Sequence, residues 1–302
     1  MFYWLDPALL AEFKREGTDA HRLCTTNLGW VERFGSDILI SYKNETAREK
    51  LKIDFHLWEK TARFESARIF GRFLPKQDTE RTPPRFLFGI ASENLQSTAM
   101  ERKLRFGIDF AAGYSVGLFL DQRENRSYVR DLAPRRLLNC FAYTCSFSVA
   151  AASAGAETVN VDLSKKWLAR GRENFSLNNL RTSEHRFVED DVRPFLRRLA
   201  RRGEKFDVII LDPPTFARAP KGKVFHIERD FDELLMAALE IAEGDARILL
   251  STNCAALNES ALEALARACL KRTKRAGKLH RSLRPVDFPA AAGASSIWLT
   301  LR

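Results

Sequence analysis

Phe206-Asp207-Val208-Ile209-Ile210-Leu211-Asp212-Pro213-Pro214-Thr215-Phe216 is the stretch that decides how this chain folds. An apolar run of strand length predicts a strand buried on both faces, as in a parallel sheet. Pro213 and Pro214 then forbid both ladder and helix, so the backbone leaves the sheet extended. Asp212 is thereby placed in the crevice at the carboxyl end of a strand, where open α/β sheets bind ligands.

Upstream of this stretch the pattern alternates. Arg136–Phe141 reads as a strand, and the loop Ala142–Ser146 leads into a small-residue helix ending at Gly155. Thr158–Asp162 is a second strand, and Ser164 can cap the next helix, whose Trp167, Leu168, Gly171 and Phe175 recur at helical spacing. His185–Val188 is a third strand ending at Glu189-Asp190-Asp191, and Pro194 suits the first turn of the helix that follows. Downstream come a helix around Phe231–Ala242, the strand Arg247–Leu250 and a helix from Ser260. Strands alternating with helices predict an α/β fold, a doubly wound and mostly parallel Rossmann-like sheet. Residues 1–16 read as a helical or loose leader. The segment from there to about 90 mixes strand-like runs such as Ile38–Tyr42 with charged stretches, and ends in the joint Thr82-Pro83-Pro84. The expected organisation is a small N-terminal α+β domain over 1–95 and the wound domain over 96–302.

Composition narrows the class. No segment is long and apolar enough to span a bilayer, and the start lacks a basic region and cleavage site. The five cysteines are an odd number without paired metal spacing, which points to a reducing compartment, the cytoplasm. The five histidines show no ligand spacing, so no metal is expected. A net charge of +10 favours a polyanionic partner, although a solvated basic surface has the same composition.

The first three strands end beside polar or acidic groups: the loop Ala142–Ser146, then Asp162, then Asp191 with Asp190 before it. In a right-handed wound sheet these ends line one crevice. A carboxylate at Asp162 can accept two hydroxyl donors of a ribose diol, and one at Asp191 can accept from an exocyclic amine such as that of adenine. A dinucleotide would place its pyrophosphate on a glycine-rich turn, but this loop has no glycine, and Cys145 stands where one is expected. An adenosyl cofactor without phosphates fits better.

Asn139-Cys140-Phe141-Ala142-Tyr143-Thr144-Cys145-Ser146-Phe147-Ser148-Val149-Ala150-Ala151 resembles the first motif of the large-subunit ribosomal RNA methyltransferases that modify cytosine C5 or guanine N7. Gly117–Arg126 is similar to the family's segment leading into the fold. Asp162-Leu163-Ser164 with Glu173-Asn174-Phe175 and Asn178 is similar to its second motif, and Asp191-Val192 and Leu211–Arg218 to its third and fourth. Thr18–Leu23 and Arg72–Lys76 echo the family more weakly. The resemblance implies a class I fold and S-adenosylmethionine as cofactor. Its site would be held by Phe141, Tyr143, Thr144, Ser146, Phe147, Asp162, Leu163, Asn174, Asp190, Asp191 and Asp212. Many relatives begin with a PUA-type RNA-binding domain, for which the amino end of this chain reads as too short.

The acceptor decides the remaining chemistry. Carbon 5 of cytosine becomes nucleophilic only after a thiolate adds at carbon 6, and Cys254 falls near the family's cysteine for that step, with Asn253 and Ala255 in place of the usual serines. Guanine N7 needs orientation alone. An exocyclic amine would use the Asp212 carboxylate or the Pro213 carbonyl as acceptor, with Phe216 stacking on the base beside Pro214. Arg218, Lys221 and Lys223 follow the same corner and are candidates for phosphate contact. Further basic groups crowd 197–205 and 271–284, of which the first reads as a solvated face. The expected function is methylation of an RNA base, ribosomal RNA first, by a monomer or homodimer. The alternatives are a protein or small-molecule acceptor, or an RNA-binding relative without catalysis.

Overall fold

The computed structural model describes residues 3–76, 80–214, 216–218, 224–289 and 292–302, with side chains left aside at 3, 216–218, 224 and 225. The chain divides into two compact units, one of residues 1–120 with 285–291, the other of 121–284 with 292–302.

The first unit holds β1 (Tyr3–Trp4), α1 (Pro7–Glu16), β2 (Ala20–Thr25), β3 (Gly29–Phe34), β4 (Asp37–Tyr42), α2 (Glu45–Ala62), β5 (Arg68–Phe73) and β6 (Arg85–Gly89). The six strands form one sheet in chain order. Helix α2 carries the chain between the parallel neighbours β4 and β5, and buries Leu51, Phe55 and Trp58 against Val31, Ile38 and Ile40 of the sheet. Asn44 starts α2 by accepting from the Ala47 amide at 2.8 Å. A hairpin of β7 (Gln96–Glu101) and β8 (Leu104–Asp109) completes the unit.

The compact units part at Leu120, not at the 95 expected from the proline joint. Thr82-Pro83-Pro84 leads into β6 of the same sheet, where proline at a strand entry costs no ladder bond. The hairpin stays with the first unit because its backbone is tied there: the Asp19 amide donates to the Met100 carbonyl at 2.9 Å, and Phe70 stacks on Phe110 at 3.9 Å between ring centroids.

The second unit continues with α3 (Arg123–Leu132), β9 (Arg136–Cys140), α4 (Ser146–Ala152), β10 (Glu157–Asp162), α5 (Lys165–Leu177), β11 (Arg186–Glu189), α6 (Val192–Arg201), β12 (Phe206–Leu211), β13 (Phe216–Arg218), β14 (Val224–His226), α7 (Ile227–Glu240), β15 (Ala242–Thr252), α8 (Glu259–Thr273), β16 (Gly277–Arg281) and β17 (Ser295–Leu301). Its seven-stranded sheet runs β11-β10-β9-β12-β15-β17-β16, parallel as far as β15, with β17 antiparallel to both β15 and β16. Strand β12 meets the expectation for a doubly covered strand. Val208 and Ile210 join one apolar cluster with Val129 and Phe147, while Ile209 and Leu211 join another with side chains of α6, α7 and α8. Each such aliphatic contributes roughly 1.5–3 kcal/mol by leaving water. Strand order reverses between β9 and β12, so the crevice of this sheet opens where the loop after β9 passes the corner after β12.

Candidate active site

Ladder register fixes the level at which the candidate residues leave the sheet. Val161, Cys140, Leu211 and Leu250 are paired across the adjacent parallel strands β10, β9, β12 and β15. One residue further on stand Asp162, Phe141, Asp212 and Ser251, which therefore lie along one line of the carboxyl edge. Asp190 extends the line, since its amide donates to the Asp162 carbonyl at 3.1 Å.

The loop after β9 is bent tightly without glycine. Phe141, Tyr143 and Cys145 have φ of 58°, 48° and 59°, the left-handed region that costs a non-glycine residue about 1–2 kcal/mol. Several bonds hold it. The Ala142 amide donates to the Val161 carbonyl at 3.0 Å, and the Tyr143 amide to Asp162 Oδ2 at 2.9 Å. Buried Asn174 donates from Nδ2 to the Thr144 carbonyl at 2.9 Å, and Asn178 donates to the Asn174 carbonyl at 2.8 Å. Cys145 fits because α5 carries Gly171 opposite it: a Cβ at 171 would lie 2.4 Å from Cys145 Sγ. The glycine expected in the loop is thus matched by one in the helix that packs on it. Strain of this kind collects at functional sites.

Asp162 braces the loop and still has capacity. Its Oδ1 accepts from the Ser164 amide at 2.8 Å while Oδ2 takes Tyr143, which among the described residues leaves one lone pair on each oxygen. Burial pushes its carboxyl above the ordinary range, and the two amide bonds pull it back. Beside it, Tyr143 packs on Trp167 at 4.6 Å between centroids, and Leu163 is exposed. A free acceptor pair flanked by ring and aliphatic surface suits a ribose diol and its adenine. On this donor set the residues fit S-adenosylmethionine.

The other candidates divide. Asp191 caps α6 by accepting from the Arg193 amide at 3.0 Å and pairs with its guanidinium at 3.3 Å. Asp190 accepts from the Asp191 amide and pairs with Arg198. Both acids thus already have protein donors. Phe147 is a core side chain, and Ser146 opens α4.

Asp212 lies at the corner, flanked by buried Pro213 and exposed Pro214. Burial pushes its carboxyl up to about 6; the Ser251 hydroxyl bond opposes this, Asp121 adds to it, and Arg126 opposes it. Cys254 is buried after β15, and its Sγ contacts Glu228 Oε1 at 3.4 Å. Lys221 and Lys223 lie outside the described residues, as do the side chains of Phe216 and Arg218. The basic run at 271–284 is largely consumed structurally. Arg272 pairs with Asp232, Arg281 with Glu263 and Arg284 with Glu259, while Arg275 donates to the carbonyls of Leu239 and Glu243.

The sequence alone assigns no site role to Gln122, Asn125, Arg126 or Ser251, although the first three lie in the family-like segment Gly117–Arg126. The available signal was α3, a ten-residue helix that buries Arg123, Asn125 and Arg126 together with Val129. Polar side chains on the inward face of a helix need partners and so mark a network.

Residues 61–298 match the family model of S-adenosylmethionine-dependent methyltransferases. Over 195 residues the chain is 37% identical to ribosomal RNA large subunit methyltransferase I of Tolumonas auensis, covering 62% of this chain and 48% of that protein. Over 165 residues it is 40% identical to the same-named protein of Aeromonas salmonicida, covering 54% and 41%. The chain thus spans less than half the length of these two relatives. The crystal structure of SMU.776 complexed with SAH has the same fold at a TM-score of 0.82 and 24% identity, covering 99% of this chain and 82% of that one. The chain belongs to the S-adenosylmethionine-dependent methyltransferase family.

Proposed function

We propose that this chain methylates a base of RNA, with large-subunit ribosomal RNA as the substrate, in the cytoplasm. The observation that carries the reading is the line Asp162–Phe141–Asp212 along one sheet edge, in a chain whose relatives at 37% and 40% identity are named for large-subunit ribosomal RNA methylation. S-adenosylmethionine supplies an electrophilic methyl group on a sulfonium. The open lone pairs of Asp162 accept the ribose hydroxyls, Tyr143 and Leu163 flank the adenine, and Asp190 and Asp191 border it while holding their arginines. Asp212 and the Pro213 carbonyl orient the target base, so that much of the rate comes from alignment. Phe216 stacks on that base, and Arg218, Lys221 and Lys223 meet its phosphates.

Cys254 acts as a nucleophile if carbon 5 of cytosine is the acceptor. Its proton then has a destination, since the Glu228 carboxylate stands 3.4 Å from the thiol. The sulfur adds to carbon 6, carbon 5 then takes the methyl group, and the carbon–sulfur bond breaks as solvent removes the proton on carbon 5.

The test is incubation with labelled S-adenosylmethionine and large-subunit ribosomal RNA, both deproteinised and in particles, followed by mass spectrometry of the nucleosides. A methylated base with wild type and none with Asp212→Ala is expected. Absence of transfer to either form of RNA overturns the reading. A 5-methylcytosine product must be abolished in Cys254→Ala; any other product must survive it.

A further inference from the structure

A chain of buried side chains ends on Asp212. Trp298, Asn125, Gln122, Ser251 and Ser296 are between 0 and 6% exposed, so water is not available to exchange for their partners. Trp298 Nε1 lies 2.9 Å from Asn125 Oδ1, and an indole nitrogen can only donate. Asn125 must therefore present its oxygen to the tryptophan and its amide nitrogen to the other side. That nitrogen stands 2.8 Å from Gln122 Oε1, which leaves Gln122 Nε2 to donate to Ser251 Oγ at 2.8 Å. The Ser296 hydroxyl adds a second contact to Ser251 Oγ at 3.1 Å. With both lone pairs of Ser251 met by donors, its own proton is left for the Asp212 carboxylate, which stands one residue beyond the Leu211–Leu250 pair, level with Ser251 on the neighbouring strand. One donor-only ring thus sets the sense of every bond in the series.

We propose that Trp298, Asn125, Gln122 and Ser251 form a polarised hydrogen-bond relay that spends its last donor on Asp212, making Gln122 and Ser251 positioning residues for methyl transfer. The proposal rests on the reading of Asp212 as the acid that orients the target base. Among the described residues, the groups facing Asp212 are Ser251 from β15, Arg126 from α3 and Asp121 just before it, one cation and one anion. Their opposed charges leave the hydroxyl as the partner that a single neutral substitution can remove. The relay serves two ends: it fixes the rotamer of Asp212, and it keeps the carboxylate, the form that can accept from a base, available at lower pH than burial alone would allow.

The experiment is a titration of Asp212 by carbon NMR in the full chain labelled at aspartate, with Asp212→Asn identifying its signal. Ser251→Ala should move the midpoint up by about one pH unit through loss of a bond to the charged form, and Ser251→Thr should restore it. Trp298→Phe should move it in the same direction by less, although the ring is separated from Asp212 by three intervening side chains. Transfer assays on the same proteins should show kcat falling with the acid limb displaced and KM for S-adenosylmethionine unchanged. A midpoint that stays in place in Ser251→Ala, in a protein whose circular dichroism is native, overturns the relay. A midpoint that stays in place in Trp298→Phe overturns its polarity. If the midpoints move as stated while wild type methylates no RNA, the relay stands and the proposed function falls.

Discussion

Two acids share the carboxyl edge of one sheet, and they are held in opposite ways. Asp162 is gripped by two backbone amides, those of Tyr143 and Ser164, in a loop whose strained turn is built into the fold. Asp212 is gripped by a serine hydroxyl at the end of a side-chain series that begins on the antiparallel strand β17. Burial raises both carboxyls. Backbone donors cannot be substituted away, so Asp162 has a setting fixed by topology. The setting of Asp212 is adjustable, one side chain at a time. Under the proposed function, Asp162 is a rigid cofactor-side acid and Asp212 a tunable substrate-side acid, the division expected of an enzyme that keeps one cofactor and fits its acceptor.

The largest effect should come from breaking the tunable side. Asp212→Asn keeps the shape and removes the charge, and methyl transfer should fall by about 100-fold or more. Binding of S-adenosylmethionine measured by calorimetry should stay close to wild type. A variant that loses cofactor affinity instead would place Asp212 on the cofactor side and erase the contrast. Next is the strained side. Gly171→Ala drives a methyl to 2.4 Å from Cys145 Sγ and should cost about 1–3 kcal/mol in a denaturant titration. Cys145→Gly removes both the clash and the left-handed penalty, so the double variant should regain most of that loss. Additive losses would show that the two positions do not share one notch.

How far the sequence disclosed this arrangement follows from the range of each interaction. The strand at 206–211 and its acid were legible because continuous apolar residues bounded by two prolines leave little choice of structure. Ser164 and Pro194 were legible as local helix-start signals. The fit of Cys145 was not, since it depends on Gly171, 26 residues later and on another element. The relay was equally hidden, because it joins Gln122 to Ser251 and Asn125 to Trp298 across 129 and 173 residues. Asp191 and Phe147 show the reverse case: a strand end offered the first to the cofactor and the family resemblance the second, and an N-cap bond and a place in the core employ them locally.

A smaller effect is expected at Asp162. Asn at this position keeps one acceptor oxygen but brings an NH2 group against a backbone N–H, either Tyr143 or Ser164. S-adenosylmethionine should bind about tenfold more weakly, with kcat at saturation little changed, because a charge-assisted acceptor for the ribose is lost. An unchanged dissociation constant would remove Asp162 from the cofactor's partners.

The last effect is in stability, and its sign separates burial from pairing. Asp212 rises from an ordinary value of 3.8 to about 6, so between those values the folded chain holds a proton that the unfolded chain has released. Stability from this group is fully present below 3.8 and is lost as pH rises through about 6. A salt-bridged acid, with its value lowered, would do the opposite. Wild type should therefore lose thermal stability relative to Asp212→Asn on going from pH 4 to pH 6, with no further divergence above pH 7. Activity should run the other way, rising through the same window as the carboxylate forms. If the two melting curves stay parallel from pH 4 to pH 7, Asp212 is as well solvated as an ordinary surface acid, and the relay has nothing to offset.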